Sequence, residues 1–191
     1  RAAFPPVTSG MTDSEIQSAI LDMGRRARAA SRALVNLTSD QKNAILHAMA
    51  DEIMARQDSI LAANALDLGR AEQNGLSKAM IDRLTLDPKR LKAIAEAVRE
   101  VATLPDPVGE LLTEWTRPNG LHIRKVRVPI GVIGIIFESR PNVTTDAASL
   151  CFKTSNATIL RGGSEAIDSN RALAAALQAG GERAGLPADS I

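Results

Sequence analysis

The sequence predicts an α/β fold: helices first, then a β-hairpin, then the start of a parallel sheet. Three observations carry this. Apolar residues recur at helical spacing from Thr12 for about ninety residues. Two extended runs between Glu110 and Val128 surround Arg117-Pro118-Asn119-Gly120, a strong turn signal. The segment from Arg127 to Ala166 then reads as strand, helix, strand and a glycine-marked helix start.

In the helical part, Thr12 and Glu15 have capping-box spacing, and Ile16, Ile20, Met23, Ala27 and Leu34 follow on one face. Thr38 and Gln41 repeat the signal ahead of a single helix carrying Ile45, Met49, Ile53 and Ile60. A turn at Asn74-Gly75 leads to a short helix through Ile81 and Leu84. Asp87-Pro88 opens another, with Leu91, Ile94, Val98 and Val101 inward, which Leu104-Pro105-Asp106-Pro107 ends. These stripes are core seams. Nothing on them has the pattern of a catalytic group.

The hairpin leads into Gly131–Phe137, a short Ile- and Val-rich run expected of a strand buried on both faces, and Ala157–Leu160 repeats that pattern. Between them, Val143, Ala147, Leu150 and Cys151 share one helical face. Strand, helix and strand at this spacing make a right-handed unit with parallel strands, the beginning of a Rossmann-like nucleotide-binding sheet.

The second strand ends at Arg161-Gly162-Gly163, with Ser164 read as the N-cap of an Ala-rich helix starting at Glu165. Free amides facing open space at that point suit a phosphate, a pyrophosphate or a carboxylate, and Arg161 supplies a fork to a phosphate or ribose. The alternative is that the glycines merely form a tight strand-to-helix turn. Glu138-Ser139-Arg140-Pro141-Asn142 follows the carboxyl end of the first strand, where open α/β sheets bind ligands. Arg140 either binds a substrate phosphate or carboxylate or pairs with Glu138, and Pro141 keeps it out of the helical region.

Composition narrows the class. With 23 basic and 22 acidic residues the net charge is +1, so no basic field awaits nucleic acid. No apolar run approaches the roughly 20 residues needed to cross a membrane. The single cysteine allows no internal disulfide, and no ligand cluster surrounds His47 or His122 to suggest a metal. Lacking a signal peptide and paired cysteines, the chain is expected in the cytoplasm. Residues 1–11, with two prolines and no periodicity, read as a cloning remnant or a disordered tail.

The run PIGVIGIIFESRPNVT, followed by SLCFKTSNATILRGGSEA, closely resembles the gamma-glutamyl phosphate reductase family of the aldehyde dehydrogenase superfamily. LAANALDLGRAEQNGLSKAMIDRLTLDPKRL and VATLPDPVGE upstream resemble that family's N-terminal helices. The resemblance implies the aldehyde dehydrogenase fold, divided as 12–107 helical, 108–128 hairpin and possible oligomerisation element, and 129–191 the start of the NADP-binding domain. It implies NADPH-dependent reduction of L-glutamyl 5-phosphate to L-glutamate 5-semialdehyde in proline biosynthesis, in a homo-oligomer. An exposed Trp115 or Leu121 would then be covered by a neighbouring subunit, although a hairpin packed on its own subunit fits the local sequence equally well.

By the same resemblance, Phe137, Glu138, Arg161, Gly162, Gly163 and Glu165 contact the cofactor, Asn142 steadies the substrate oxygen, and Arg140 holds the substrate. The family's chemistry passes through a cysteine thioester, and its nucleophilic cysteine lies downstream of this segment. Cys151 is not that residue: mid-helix on an apolar face with no neighbouring cation, it reads as a small packing group. The chain is therefore expected to be a cofactor-binding portion without turnover of its own. Two departures stand out. Ser155 occupies a place where the family carries glycine, and Arg161 one where other aldehyde dehydrogenases carry lysine. Two alternatives remain: a related dehydrogenase acting on another aldehyde or acyl group, and a non-catalytic nucleotide-binding or interaction module.

Overall fold

A computed structural model describes residues 12–191; the expectation for residues 1–11 lies outside the described residues. Five helices come first: α1 (Asp13–Leu34), α2 (Ser39–Ala55), α3 (Gln57–Gln73), α4 (Lys78–Leu84) and α5 (Pro88–Thr103). Both capping boxes form, at Thr12 with Glu15 and at Thr38 with Gln41. Asp87 caps α5 through the Arg90 amide, with Pro88 in the first turn. Gly75 takes the left-handed conformation the Asn-Gly turn predicts, at φ +69°.

The single helix expected through Ile45 and Ile60 is two helices. Arg56, at φ −99° and ψ 16°, ends α2 and precedes α3. Apolar spacing continues across the break, because Ile53 and Ile60 both enter the same core, and so conceals it. The outer turns of α1 are a second correction: Ile20 is 59% exposed, and only from Ala27 onward does the stripe bury.

The hairpin pairs β1 (Leu111–Thr116) with β2 (His122–Val126), antiparallel, with Trp115 opposite Ile123 and an irregularity between Leu111 and Thr113. Gly120 closes the turn at φ +83°. β3 (Val132–Ile136) and β4 (Ala157–Arg161) then pair in parallel, from Val132 opposite Ala157 to Ile136 opposite Arg161, joined by α6 (Pro141–Lys153). A 3₁₀ turn at Ser164–Ala166 leads into α7 (Ile167–Arg183). The Thr158 amide donates to Ser190 O at 2.9 Å, so the chain returns along the free side of β4.

The core lies between α2, α5, α6 and α7, filled by Ile45, Leu46, Met49, Leu91, Val98, Phe152, Leu173 and Leu177. α1 lies against β3 and β4, and α6 against β4. This cover stops short of the far end of β3, where Ile136 is 86% exposed; the expectation of a strand buried on both faces is not met. α6 is also turned from its expected face. Leu150 is half exposed, while Thr145, Ala148, Ser149 and Phe152 are buried. Thr145 and Ser149 tolerate burial because their hydroxyls donate to the carbonyls of Asn142 and Asp146. Cys151 remains buried, as expected.

Charged groups fasten the layers. Lys42, almost wholly buried, pairs with Asp106 at 2.7 Å. Burial works against the Asp106 carboxylate, but Lys42, the Val108 amide and the Ser39 hydroxyl together hold it below the usual range. Lys153 donates to Asn43 Oδ1 at 2.6 Å and Ala102 O at 2.9 Å, and burial lowers its pKa. Glu52 of α2 accepts from Arg183 of α7 and Arg56, which hold its carboxyl at about 2. Among the described residues no helix is long and apolar enough to cross a membrane.

Two predictions follow from this packing. Because the Glu52 pKa lies below its ordinary 4.5, its contribution to stability is complete above that pH and fades as pH falls towards about 2. Acid unfolding of Glu52→Gln and the parent should therefore converge in that window; a constant gap would refute it. Ser155 sits at φ +58° with its buried hydroxyl unpartnered, so Ser155→Gly should gain about 1 kcal/mol after the glycine's unfolded-state entropy is subtracted. Denaturant titration would show the reverse sign if that strain were absent.

Candidate active site

The carboxyl ends of β3 and β4 lie side by side, and the two loops that leave them carry most of the residues singled out from the sequence. Phe137 continues the ladder, its amide donating to Arg161 O at 3.0 Å. Beyond it the chain turns through Glu138, Ser139 and Arg140 into α6, where Pro141 occupies the first turn. On the neighbouring strand Arg161 leads through Gly162 and Gly163 into the 3₁₀ turn.

Ser139 joins the loops by donating its hydroxyl to Glu165. That bond, followed by one from Glu165's own amide, holds the Glu165 carboxyl below the usual range. The glycines admit this arrangement. A Cβ on Gly163 would lie 2.0 Å from Ser139 Oγ and 3.1 Å from its backbone nitrogen; one on Gly162 would lie 2.3 Å from Asn170 Nδ2 and 3.0 Å from Phe137. The tight-turn reading therefore has a physical basis: the close approach is made by the protein's own side chains.

The expected helix start is corrected. Ser164 caps nothing, and α7 begins at Ile167. The first amides of α7 are already taken: those of Asp168 and Ser169 donate to the carboxylate of Asp67, from α3, at 3.2 Å and 2.7 Å. Those two amides are closed to an anion. What remains exposed is side-chain chemistry: the Arg161 guanidinium, which turns back onto Gly162 O, with the Glu165 carboxylate nearby. A guanidinium donor beside a carboxylate acceptor at the end of a parallel strand fits a phosphorylated ribose, the first for the phosphate and the second for a hydroxyl. Glu165 retains acceptor capacity beyond the Ser139 bond, since a carboxylate offers about four lone-pair sites.

Arg140 pairs with Glu138, Nε to Oε2 at 3.5 Å, the second of its two sequence readings. Asn142, in the first turn of α6, donates Nδ2 to Asp146 Oδ2 at 3.0 Å, and burial raises the Asp146 pKa. Among the described residues no hydrogen bond or ion pair joins Arg140 or Asn142 to the turn from Arg161 to Glu165. His47 and His122 lie on other elements: His47 is exposed on α2, and His122 meets Thr116 and Glu114 across the hairpin. Sequence reasoning gave no role to Ser139, although it stood in the polar loop. Nor did it find Asp67, which no local pattern connects to α7.

No protein-family model matches the chain. Gamma-glutamyl phosphate reductase of Brucella anthropi is 52% identical over 185 residues, covering 97% of this chain and 43% of that protein. The enzyme of Brucella suis biovar 1 is 55% identical over 177 residues, covering 93% and 42%. Among solved structures, gamma-glutamyl phosphate reductase of Thermotoga maritima superposes with a TM-score of 0.87 at 40% identity, over 90% of this chain and 41% of that one. The Saccharomyces cerevisiae reductase gives 0.83 at 30%, over 94% and 45%. A probable aldehyde dehydrogenase of Listeria monocytogenes shares the fold, with a TM-score of 0.68 at 14% identity over 94% of this chain and 37% of that one. The chain thus spans less than half the length of these relatives. The resemblance read from the sequence is borne out over nearly the whole chain, and the α/β fold is that of the aldehyde dehydrogenases.

The crowding at Gly163 predicts that Gly163→Ala displaces Ser139 from Glu165 and costs about 1–3 kcal/mol, as overpacking does. Equilibrium unfolding with parental stability would show that the two loops yield freely.

Proposed function

We propose that this chain is the N-terminal, cofactor-binding portion of a gamma-glutamyl phosphate reductase, which reduces L-glutamyl 5-phosphate to L-glutamate 5-semialdehyde and phosphate with NADPH. The observation that carries the reading is 52–55% identity to reductases of that name across almost all of this chain. The reaction belongs to proline biosynthesis, and the enzyme works in the cytoplasm as a homo-oligomer. The hairpin supports assembly: Trp115 and Leu121 are 45% and 57% exposed.

NADPH, when bound, supplies the hydride. Arg161 addresses the 2′-phosphate and Glu165 the ribose hydroxyls, with Phe137, Glu138, Gly162 and Gly163 completing the pocket wall. Ser139 orients the Glu165 carboxylate, so that its free lone pairs are presented in one direction. Asn142 offers an amide donor to the substrate oxygen as charge develops there, and Asp146 holds that amide at the start of α6. Arg140 attracts the anionic substrate, releasing Glu138 to do so. The attacking thiolate comes from outside this segment: Cys151 is 7% exposed within α6, packed rather than presented.

The test is an NADPH oxidation assay with glutamyl 5-phosphate on the full-length protein containing this sequence. Turnover supports the reading. Activity confined to a different aldehyde or acyl substrate refutes the substrate, and no activity or nucleotide binding refutes the enzyme. On the same material, Arg161→Ala should raise KM for NADPH about tenfold, a loss of ~1.4 kcal/mol, while changing KM for NADH little. Equal losses for both nucleotides would remove the 2′-phosphate contact.

A further inference from the structure

We propose that Asp67, an α3 residue outside the nucleotide loops, is a positioning residue for the dinucleotide: it fixes the turn that presents Arg161 and Glu165. The inference rests on reading that turn as the NADPH site.

α7 has no side-chain cap from its own sequence. Asp67 supplies one from 100 residues upstream, with its side chain fully buried. Oδ2 accepts from the Ser169 amide at 2.7 Å and the Ser169 hydroxyl at 2.6 Å, and Oδ1 from the Asp168 amide at 3.2 Å. A carboxylate at a helix N-terminus is favourably placed in the field of the helix. Arg70 clasps the outside of this joint, bonding to both Asp67 and Asp168.

Two further contacts make the joint rigid. Asn64 donates to Ser169 Oγ at 3.0 Å and to Leu84 O at 2.8 Å, and accepts from the Leu86 amide at 2.8 Å, so the cap is tied to the segment between α4 and α5. Ala166, the last residue of the 3₁₀ turn, is fully buried against Ala71 and Leu84. The turn is thereby pinned at both ends. The strand ladder holds Arg161, Asp67 and Ala166 hold the helix start, and only Gly162 to Glu165 lie between.

The geometry also assigns recognition to side chains. With Asp67 on the amides of Asp168 and Ser169, those donors are not offered to the nucleotide, which meets Arg161 and Glu165 instead. Loosening the joint should therefore weaken NADPH binding selectively, leaving the reaction and the acyl substrate's own affinity largely intact.

The experiment uses the full-length protein with Asp67→Asn, and with Ser169→Ala as a milder variant should the first fail to fold. NADPH affinity is read directly by fluorescence titration, alongside kcat, both KM values and the melting temperature. The expected result is a Kd for NADPH raised about tenfold by Asp67→Asn, and less by Ser169→Ala. KM for glutamyl 5-phosphate, and kcat at saturating NADPH, should stay within about twofold of the parent. Folded variants with the parental Kd, or with parallel losses in kcat and both KM values, would overturn the positioning role alone. A parent protein that binds no NADPH would overturn the site reading and this inference together.

Discussion

The union between the helical layer and the strand–helix–strand unit depends on buried charges placed where the backbone needs them. Lys153 of α6 reaches across to the end of α5 at Ala102 O, Asp67 of α3 completes α7, and within the helical layer itself Lys42 holds Asp106 just beyond α5. Each ion surrenders hydration, so none is strongly stabilising against a well-packed apolar substitute. Removing one partner is another matter, because it strands a charge or a helix terminus in the interior at about 3–5 kcal/mol. Apolar packing alone would let α3 slide along α7. These contacts admit one register.

That register matters at the carboxyl ends of β3 and β4. The first loop crowds Gly163 and Asn170 of α7 crowds Gly162, so closely that neither glycine can carry a side chain without a shift. The result is a polar edge with few degrees of freedom: Ser139 to Glu165 across the gap, Thr144 to Asn170 behind it, and Asn170 lying over Gly162. Functional groups held by groups that are themselves held lose little entropy on meeting a ligand.

The sequence made some of this legible because the signals were local. Capping boxes, the Asn-Gly and Asn119-Gly120 turns and the apolar strands announce themselves within a few residues; Ser155 stood out only by comparison with the family's glycine, and its positive φ gives that departure its physical meaning. What escaped was set by distant partners. The break at Arg56 hides beneath an uninterrupted apolar stripe. α6 turns threonines and serines inward because their hydroxyls find backbone carbonyls, which an apolar-face rule misreads. The glycine pair was recognised, but not its crowding by Ser139 and Asn170. Asp67 carries no local mark, since its purpose appears only when α7 arrives beside it.

The placement of α1 bears on synthesis. Its principal neighbours are β3 and β4, and its apolar end at Ala27, Ala30 and Leu34 waits for strand residues about 120 positions later in the chain. At a ribosomal rate of roughly 5–20 residues per second, that interval is on the order of 6–25 s. Throughout it α1 has been made without its seat, and its apolar stripe is a ready ligand for whatever chaperone meets the nascent chain.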